Sequence, residues 1–244
     1  MRKWDYIDSD EVPDDDGVLY LMSRGSEYAI YANGYQLMSN RAHGSEAALA
    51  DWACDRLADL DDARILVGGL GMGFTLAATL RRLGPGGRAT VSELMPAVIR
   101  WNRETVGGAA KHPLRDPRTA VHQGDVGDLI ENASERWSAI LLDVDNGPHS
   151  LTRPTNGWLY TKQGLSHSFE ALIPGGVLGI WSARPSPALT RRLRRTGFEV
   201  EVLSFTEQGR LTVHDDGTDV LWMATRPGSD ARTPAAASTG RASE

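Results

Sequence analysis

A single cysteine stands in the 244 residues. With Cys54 alone no internal disulfide can form. Its setting in Ala53-Cys54-Asp55-Arg56-Leu57, a helical pattern, makes it a small buried side chain. No apolar run approaches the ~20 residues of a membrane-spanning helix, so no membrane partner is expected. The opening residues Met1-Arg2-Lys3-Trp4-Asp5 run into acid rather than an apolar segment. No secretory signal is visible there, and cytoplasmic residence is the expectation. The histidines show no Cys/His or carboxylate/His spacing of a metal site, so no metal is expected. Basic residues are outnumbered 26 to 32, for a net charge of −6, which disfavours nucleic acid as a partner. Arg191-Arg192-Leu193-Arg194-Arg195 reads as a solvated helix face with Leu193 inward. The acidic cluster Asp8 to Asp16 is a soluble lead-in, or an attractor for a cationic substrate. There is no internal repeat.

The chain does have a glycine cluster in an informative place. Ile65-Leu66-Val67 is an apolar strand running into Gly68-Gly69-Leu70-Gly71-Met72-Gly73-Phe74, with a helix after it. Glu93 ends the following strand, about 20 residues on, as in nucleotide sites at the carboxyl edge of a parallel sheet. Glycine admits backbone angles closed to other residues and lets a ligand approach the main chain. A carboxylate after the second strand accepts hydrogen bonds from ribose hydroxyls. Phe74 and Thr75 stand where a phosphate-binding loop needs Lys and Ser/Thr, and the third glycine of the dinucleotide spacing is missing. These features point to an adenosine-containing small molecule.

Strand and helix patterns alternate along the chain. Two strand-like runs, Val18-Leu19-Tyr20-Leu21-Met22 and Tyr28-Ala29-Ile30-Tyr31-Ala32, precede the turn Asn33-Gly34 and Tyr35-Gln36-Leu37-Met38. Together they predict a small antiparallel sheet, followed by a helix from about Ser45 to Leu60. Strands are then predicted at Arg64–Val67, Ala89–Glu93, Thr119–Gln123, Ala139–Asp143 and Val177–Trp181. Helices are predicted at Phe74–Leu83, Pro96–Val106, Val126–Asn132, Lys162–Leu172 and Pro187–Thr196. Pro174-Gly175-Gly176 reads as a turn, and Glu199–Phe205 with Asp219–Ala224 as a terminal hairpin. The expected fold class is α/β: a doubly wound, mostly parallel, seven-stranded sheet with a small N-terminal antiparallel β-sheet. The expected divisions are a flexible acidic lead-in over 1–16, the small sheet over 17–44, the main domain over 45–225 and a disordered tail over 226–244.

In order and spacing, residues from about Val18 to Ala224 resemble the spermidine synthase family, the polyamine aminopropyltransferases. That family lies within the class I S-adenosylmethionine-dependent transferases, which have a Rossmann-like fold. The resemblance rests on Gly34-Tyr35-Gln36, the glycine loop, Glu93, Gly124-Asp125, the strand and loop Ile140 to Pro148, Leu159-Tyr160, and Pro174 to Leu178. It implies a donor site for S-adenosylmethionine or its decarboxylated form built from Gly69, Leu70, Gly71, Met72, Glu93 and Asp125. It also implies a catalytic Asp143, a small-molecule acceptor and a homodimer. Three departures bear on the reaction: Met72 where the family carries an aspartate beside the donor's amine, Asn146 where a second aspartate serves the acceptor, and His43-Gly44-Ser45-Glu46 in place of Ser-Tyr-Gln-Glu. A carboxylate at that loop position would repel the carboxylate of intact S-adenosylmethionine, and methionine removes the repulsion.

Transfer from a sulfonium needs alignment and, with an amine nucleophile, a base. Asp143, at a strand end, suits that base, or else caps a helix or braces a loop. Gln36 orients a ligand or merely joins a hairpin. His43 and His149 are candidate bases or surface histidines, and Asn146, Trp158 and Tyr160 line the acceptor pocket or pack the core. The leading expectation is a transferase moving a methyl or other alkyl group from S-adenosylmethionine to a small-molecule acceptor, an amine by preference. The alternatives are a true aminopropyltransferase using the decarboxylated donor, and an inactive nucleoside-binding scaffold.

Overall fold

The computed structural model describes residues 3–12, 17–144, 154–206, 211–212 and 219–228. Its first four strands, β1 (Asp5–Glu11), β2 (Val18–Arg24), β3 (Glu27–Ala32) and β4 (Tyr35–Ser39), form an antiparallel meander in chain order. β1 is a correction: the acidic stretch expected to be a flexible lead-in pairs with β2 from Asp5↔Ser23 to Glu11↔Val18. Its charges find partners on the main domain. The Asp8 carboxylate accepts from the Arg100 guanidinium at 2.8 Å and from the Trp101 indole N–H at 2.7 Å. Those bonds hold the Asp8 carboxyl below its usual pKa.

Next comes α1 (Gly44–Asp55), five residues shorter than the expected end at Leu60. The Asp59 side chain accepts the backbone N–H of Asp61, and Leu60 C=O accepts from Gly84, so local turn bonding replaces the helix. The main sheet is built on β5 (Arg64–Gly68), β6 (Arg88–Glu93), β7 (Thr119–Gln123), β8 (Trp137–Leu142), β9 (Leu172–Ser182), β10 (Glu199–Phe205) and β12 (Asp219–Thr225). The two-residue β11 (Leu211–Thr212) lies on its edge, and the order is β11-β10-β12-β9-β8-β5-β6-β7. β5, β6, β7, β8 and β9 run parallel, and β12 runs antiparallel to both of its neighbours, β9 and β10. This is the predicted α/β class. Helices α2 (Phe74–Arg82), α3 (Pro96–Glu104), α4 (Val126–Glu131), α5 (Lys162–Ala171) and α6 (Pro187–Thr196) provide the crossovers.

β5 is buried throughout its apolar run, with Ile65, Leu66 and Val67 all at 0% exposure, as a central parallel strand requires. Local chemistry fixes the helix ends. Ser186 Oγ accepts the Leu189 N–H before Pro187, and Gly197 closes α6 at φ +111°. Two more boundaries differ from expectation. Pro174-Gly175-Gly176 lies within β9, where the β8–β9 register shifts, rather than in a turn before it. Arg226, expected in the tail, donates its backbone N–H to Gly176 and its side chain to the Phe169 carbonyl and the Glu135 carboxylate. No described helix is long and apolar enough to cross a membrane.

Candidate active site

The small sheet covers the carboxyl edge of β5, β6 and β8, and a cleft of about 840 Å³, counting its open mouth, lies between them. Val12, Leu19, Ile30, Leu37 and Met38 form an apolar wall from the small sheet. Gly69, Gly71, Glu93, Asp125 and Asp143 face them, so five of the predicted site residues share one cleft.

The glycine loop bends three times through left-handed conformations, at Gly69 (φ +87°), Gly71 (φ +51°) and Gly73 (φ +86°). At Gly69 no side chain fits, since a Cβ would lie 2.2 Å from the Asp143 carbonyl oxygen. The loop is tied to β6 by the Gly69 N–H donating to the Ser92 carbonyl at 2.9 Å. Glu93, 9% exposed, accepts the Leu70 N–H at 2.9 Å on one oxygen and the Met95 N–H at 2.8 Å on the other. A carboxylate offers about four lone-pair sites. Glu93 also lines the cleft, where a carboxylate can accept from a diol. Asp125 accepts the Gly127 N–H through Oδ1 at 2.8 Å, capping α4. Its second oxygen faces no described donor, and the residue borders the cleft. These acceptors and the apolar wall fit a nucleoside with a ribose diol and an amino-bearing base.

Asp143 follows β8. Its backbone N–H donates to the Gly68 carbonyl at 2.9 Å, and its Oδ2 accepts the Thr75 hydroxyl at 2.6 Å. Burial, reinforced by the negative charge of Glu46 and to a lesser degree Asp219, pushes the Asp143 carboxyl up to about 7, against the pull of the Thr75 bond. The Glu46 carboxyl is raised as well, chiefly by burial. A carboxylate near 7 is poised to exchange a proton at neutral pH. Glu46, Thr75 and Asp219 are contributors that the sequence reading does not include among its candidates. Glu46 was visible in the His43-Gly44-Ser45-Glu46 motif and Thr75 in the turn after the glycines. Asp219 opens β12, two strands across the sheet from β8, with no local signal.

Other expected site residues lie elsewhere. Met72, 2% exposed, packs into the core beneath the loop, and Leu70, 4% exposed, contributes only its backbone N–H. The loop residues that open on the cleft are Gly69 and Gly71. Met72, expected beside the donor's amine, does not line the cleft, and Leu70, Gly71, Met72 and Gly73 present no carboxylate to it. Gln36 is exposed and accepts from the Tyr31 hydroxyl at 3.2 Å. The β3–β4 register skips Leu37, and it is Leu37 and Met38 that reach the cleft. His43 stacks on Phe74 with ring centroids 4.0 Å apart and lines a different cavity. Trp158 packs over Gly127, and Tyr160, 2% exposed, joins the apolar cluster of α4 and α5. Asn146, His149 and the neighbouring Asp145 lie outside the described residues. Among the described residues no cluster of metal-ligating side chains occurs.

No family profile matches the chain, and no curated protein matches its sequence. Solved structures do match its fold. Spermidine synthase from Thermotoga maritima superposes with a TM-score of 0.71 at 17% identity, over 91% of this chain and 72% of that one. A spermidine synthase in complex with the transition-state analogue AdoDATO matches with a TM-score of 0.70 at 16% identity, over the same shares of the two chains. The chain thus has the fold of the spermidine synthases: a seven-stranded, mostly parallel sheet with a small antiparallel sheet at its N-terminal side.

Proposed function

We propose that the chain is a transferase that moves an alkyl group from an S-adenosyl donor to a small-molecule amine. The observation that carries this reading is Asp143, held at the end of β8 in the same cleft as Glu93, Asp125 and the glycine loop, with its carboxyl raised to about 7. Glu93 would hold the ribose hydroxyls and Asp125 the adenine edge. Leu94, Met95 and Val98 supply apolar surface for the base. Such a donor supplies an electrophilic carbon on a sulfonium; the C–S bond breaks with its electron pair on sulfur as the C–N bond forms. Asp143 takes the proton the amine sheds, and the Thr75 hydroxyl holds its Oδ2 in place. The negative charge at Glu46 and Asp219 favours a cationic or amine acceptor beside Asp143.

The donor in this reading is intact S-adenosylmethionine, since no loop carboxylate meets the cleft to repel its own. A second reading, aminopropyl transfer from the decarboxylated donor, is favoured by the acidic surroundings of Asp143 and by the neighbour solved with AdoDATO. Calorimetric titration of both donors into wild type and Gly71→Asp separates the two. Gly71 has φ +51°, where aspartate is tolerated, and its Cβ would meet only the flexible end of the Met38 side chain, its sulfur at 2.9 Å and its methyl at 3.2 Å. Wild type should bind the intact donor more tightly, and Gly71→Asp should narrow or reverse that order. A wild type that prefers the decarboxylated donor puts aminopropyl transfer first. Binding of neither donor refutes both readings.

A further inference from the structure

A second cavity, about 1,290 Å³ with its open mouth, lies against α2 and the turns after α3. It shares no lining residue with the donor cleft. Its charge runs against that of the whole protein. Four permanent cations, Arg81, Lys111, Arg115 and Arg118, line it against one carboxylate, Asp116, in a chain of net charge −6. Two of the four are internally satisfied: Arg118 pairs with Asp116 at 2.8 Å, and Arg81 with Asp51 at 2.9 Å. Lys111 and Arg115 have no side-chain hydrogen bond or ion pair among the described residues. They stand on a turn in which Lys111 and His112 both adopt left-handed backbone angles, φ 61° and 55°. Two successive non-glycine residues in that region are uncommon. The turn is clamped by the His112 N–H donating to the Gly107 carbonyl at 2.7 Å.

Between the cations the wall is apolar. It includes Ala77, Ala110 and Pro113, and the stacked rings of His43 and Phe74. Unpaired cations over an apolar, partly aromatic floor match a small molecule that joins an anionic group to a flat apolar body. We infer that this cavity is a binding site for a small organic anion, a carboxylate, sulfonate or phosphate on an aromatic or apolar frame, held by Lys111 and Arg115 and distinct from the donor cleft. The two sites stand back to back: a Cβ on Gly73 of the donor loop would meet Pro113 at 2.9 Å and Ala110 at 3.6 Å.

The test uses 1-anilinonaphthalene-8-sulfonate, an aromatic sulfonate whose fluorescence rises on binding. It is titrated into the full chain, into Lys111→Glu/Arg115→Glu, and into Arg191→Glu/Arg194→Glu. The last pair makes the same charge change on the exposed face of α6. Circular dichroism verifies that all three are folded. The expected result is saturable binding to wild type, a dissociation constant at least tenfold higher in the Lys111/Arg115 variant, and less than twofold change in the α6 variant. Saturating S-adenosylhomocysteine should leave the wild-type affinity unchanged. The inference is overturned if wild type shows no saturable binding, if both variants lose affinity equally, or if S-adenosylhomocysteine displaces the probe. If S-adenosylhomocysteine itself fails to bind, the proposed transferase is in question while the charge-reversal comparison still decides this site.

Discussion

Replacing Thr75 with valine removes one hydroxyl from a buried position and leaves the shape nearly intact. That hydroxyl donates to Asp143 Oδ2 at 2.6 Å and is the hydrogen bond that pulls the Asp143 carboxyl downward, against burial and the charge of Glu46. A hydrogen bond to a charged group contributes about 1.5–3 kcal/mol. At 1.36 kcal/mol per pKa unit, its loss should raise Asp143 by roughly 1–2 units, from about 7 toward 8 or 9. Carbon-13 NMR of aspartate carboxyls reads this directly without a known acceptor, and Asp143→Asn assigns the resonance. If Asp143 is the base, the limb of kcat/KM that rises through about 7 should move up by the same amount. A titration midpoint that stays put, or moves down, would refute the account of how this carboxyl is tuned.

Glu93→Ala should weaken binding of an S-adenosyl nucleoside by about 1.5–3 kcal/mol, the range for bonds to a charged acceptor, measured by calorimetry; unchanged affinity would remove Glu93 from the site. Gly69→Ala should cost about 3 kcal/mol or more in urea denaturation, because its Cβ would meet the Asp143 carbonyl at 2.2 Å in a backbone conformation at φ +87°. The pH dependence of stability has a definite sign. Asp143 gives up its proton near 3.8 when unfolded and near 7 when folded, so its protonated form favours the fold, fully below pH 4, and that stabilisation is lost as pH rises toward 7. Asp143→Asn should therefore be less pH-sensitive than wild type between pH 4 and 7, by a few kcal/mol; equal slopes in the two proteins would contradict the raised pKa.

Much of this molecule is legible in the sequence because its punctuation is local. Thr119–Gln123 and Pro187–Thr196 fall where strand pattern, proline and glycine place them. The cleft carboxylates Glu93 and Asp125 were legible for the same reason, each lying where a strand hands over to a helix. β1 was not, because four acidic residues in seven read as solvated until α3 supplies Arg100 and Trp101 across the fold. Which residue of the glycine loop faces the cleft, Gly71 or Met72, depends on three left-handed turns that spacing alone does not specify. Gln36 was lost to a register skip of one residue, which exchanges the faces of a strand. The proton affinity of Asp143 depends on Glu46 and Asp219, which only the tertiary fold brings near.

The position of β12 also governs the order of assembly. It is the last described strand in chain order, yet it sits between β9 and β10 and pairs with both along its length. During synthesis, β9 and β10 must wait with bare backbone edges until that segment arrives. Exposed edges of this kind recruit other chains. Asp219, the first residue of β12, brings its charge to Asp143 only when that strand docks. A chain interrupted before this step would hold an assembled cleft on β5 and β6 while the Asp143 carboxyl lacked the charge of Asp219 and its sheet was open to aggregation.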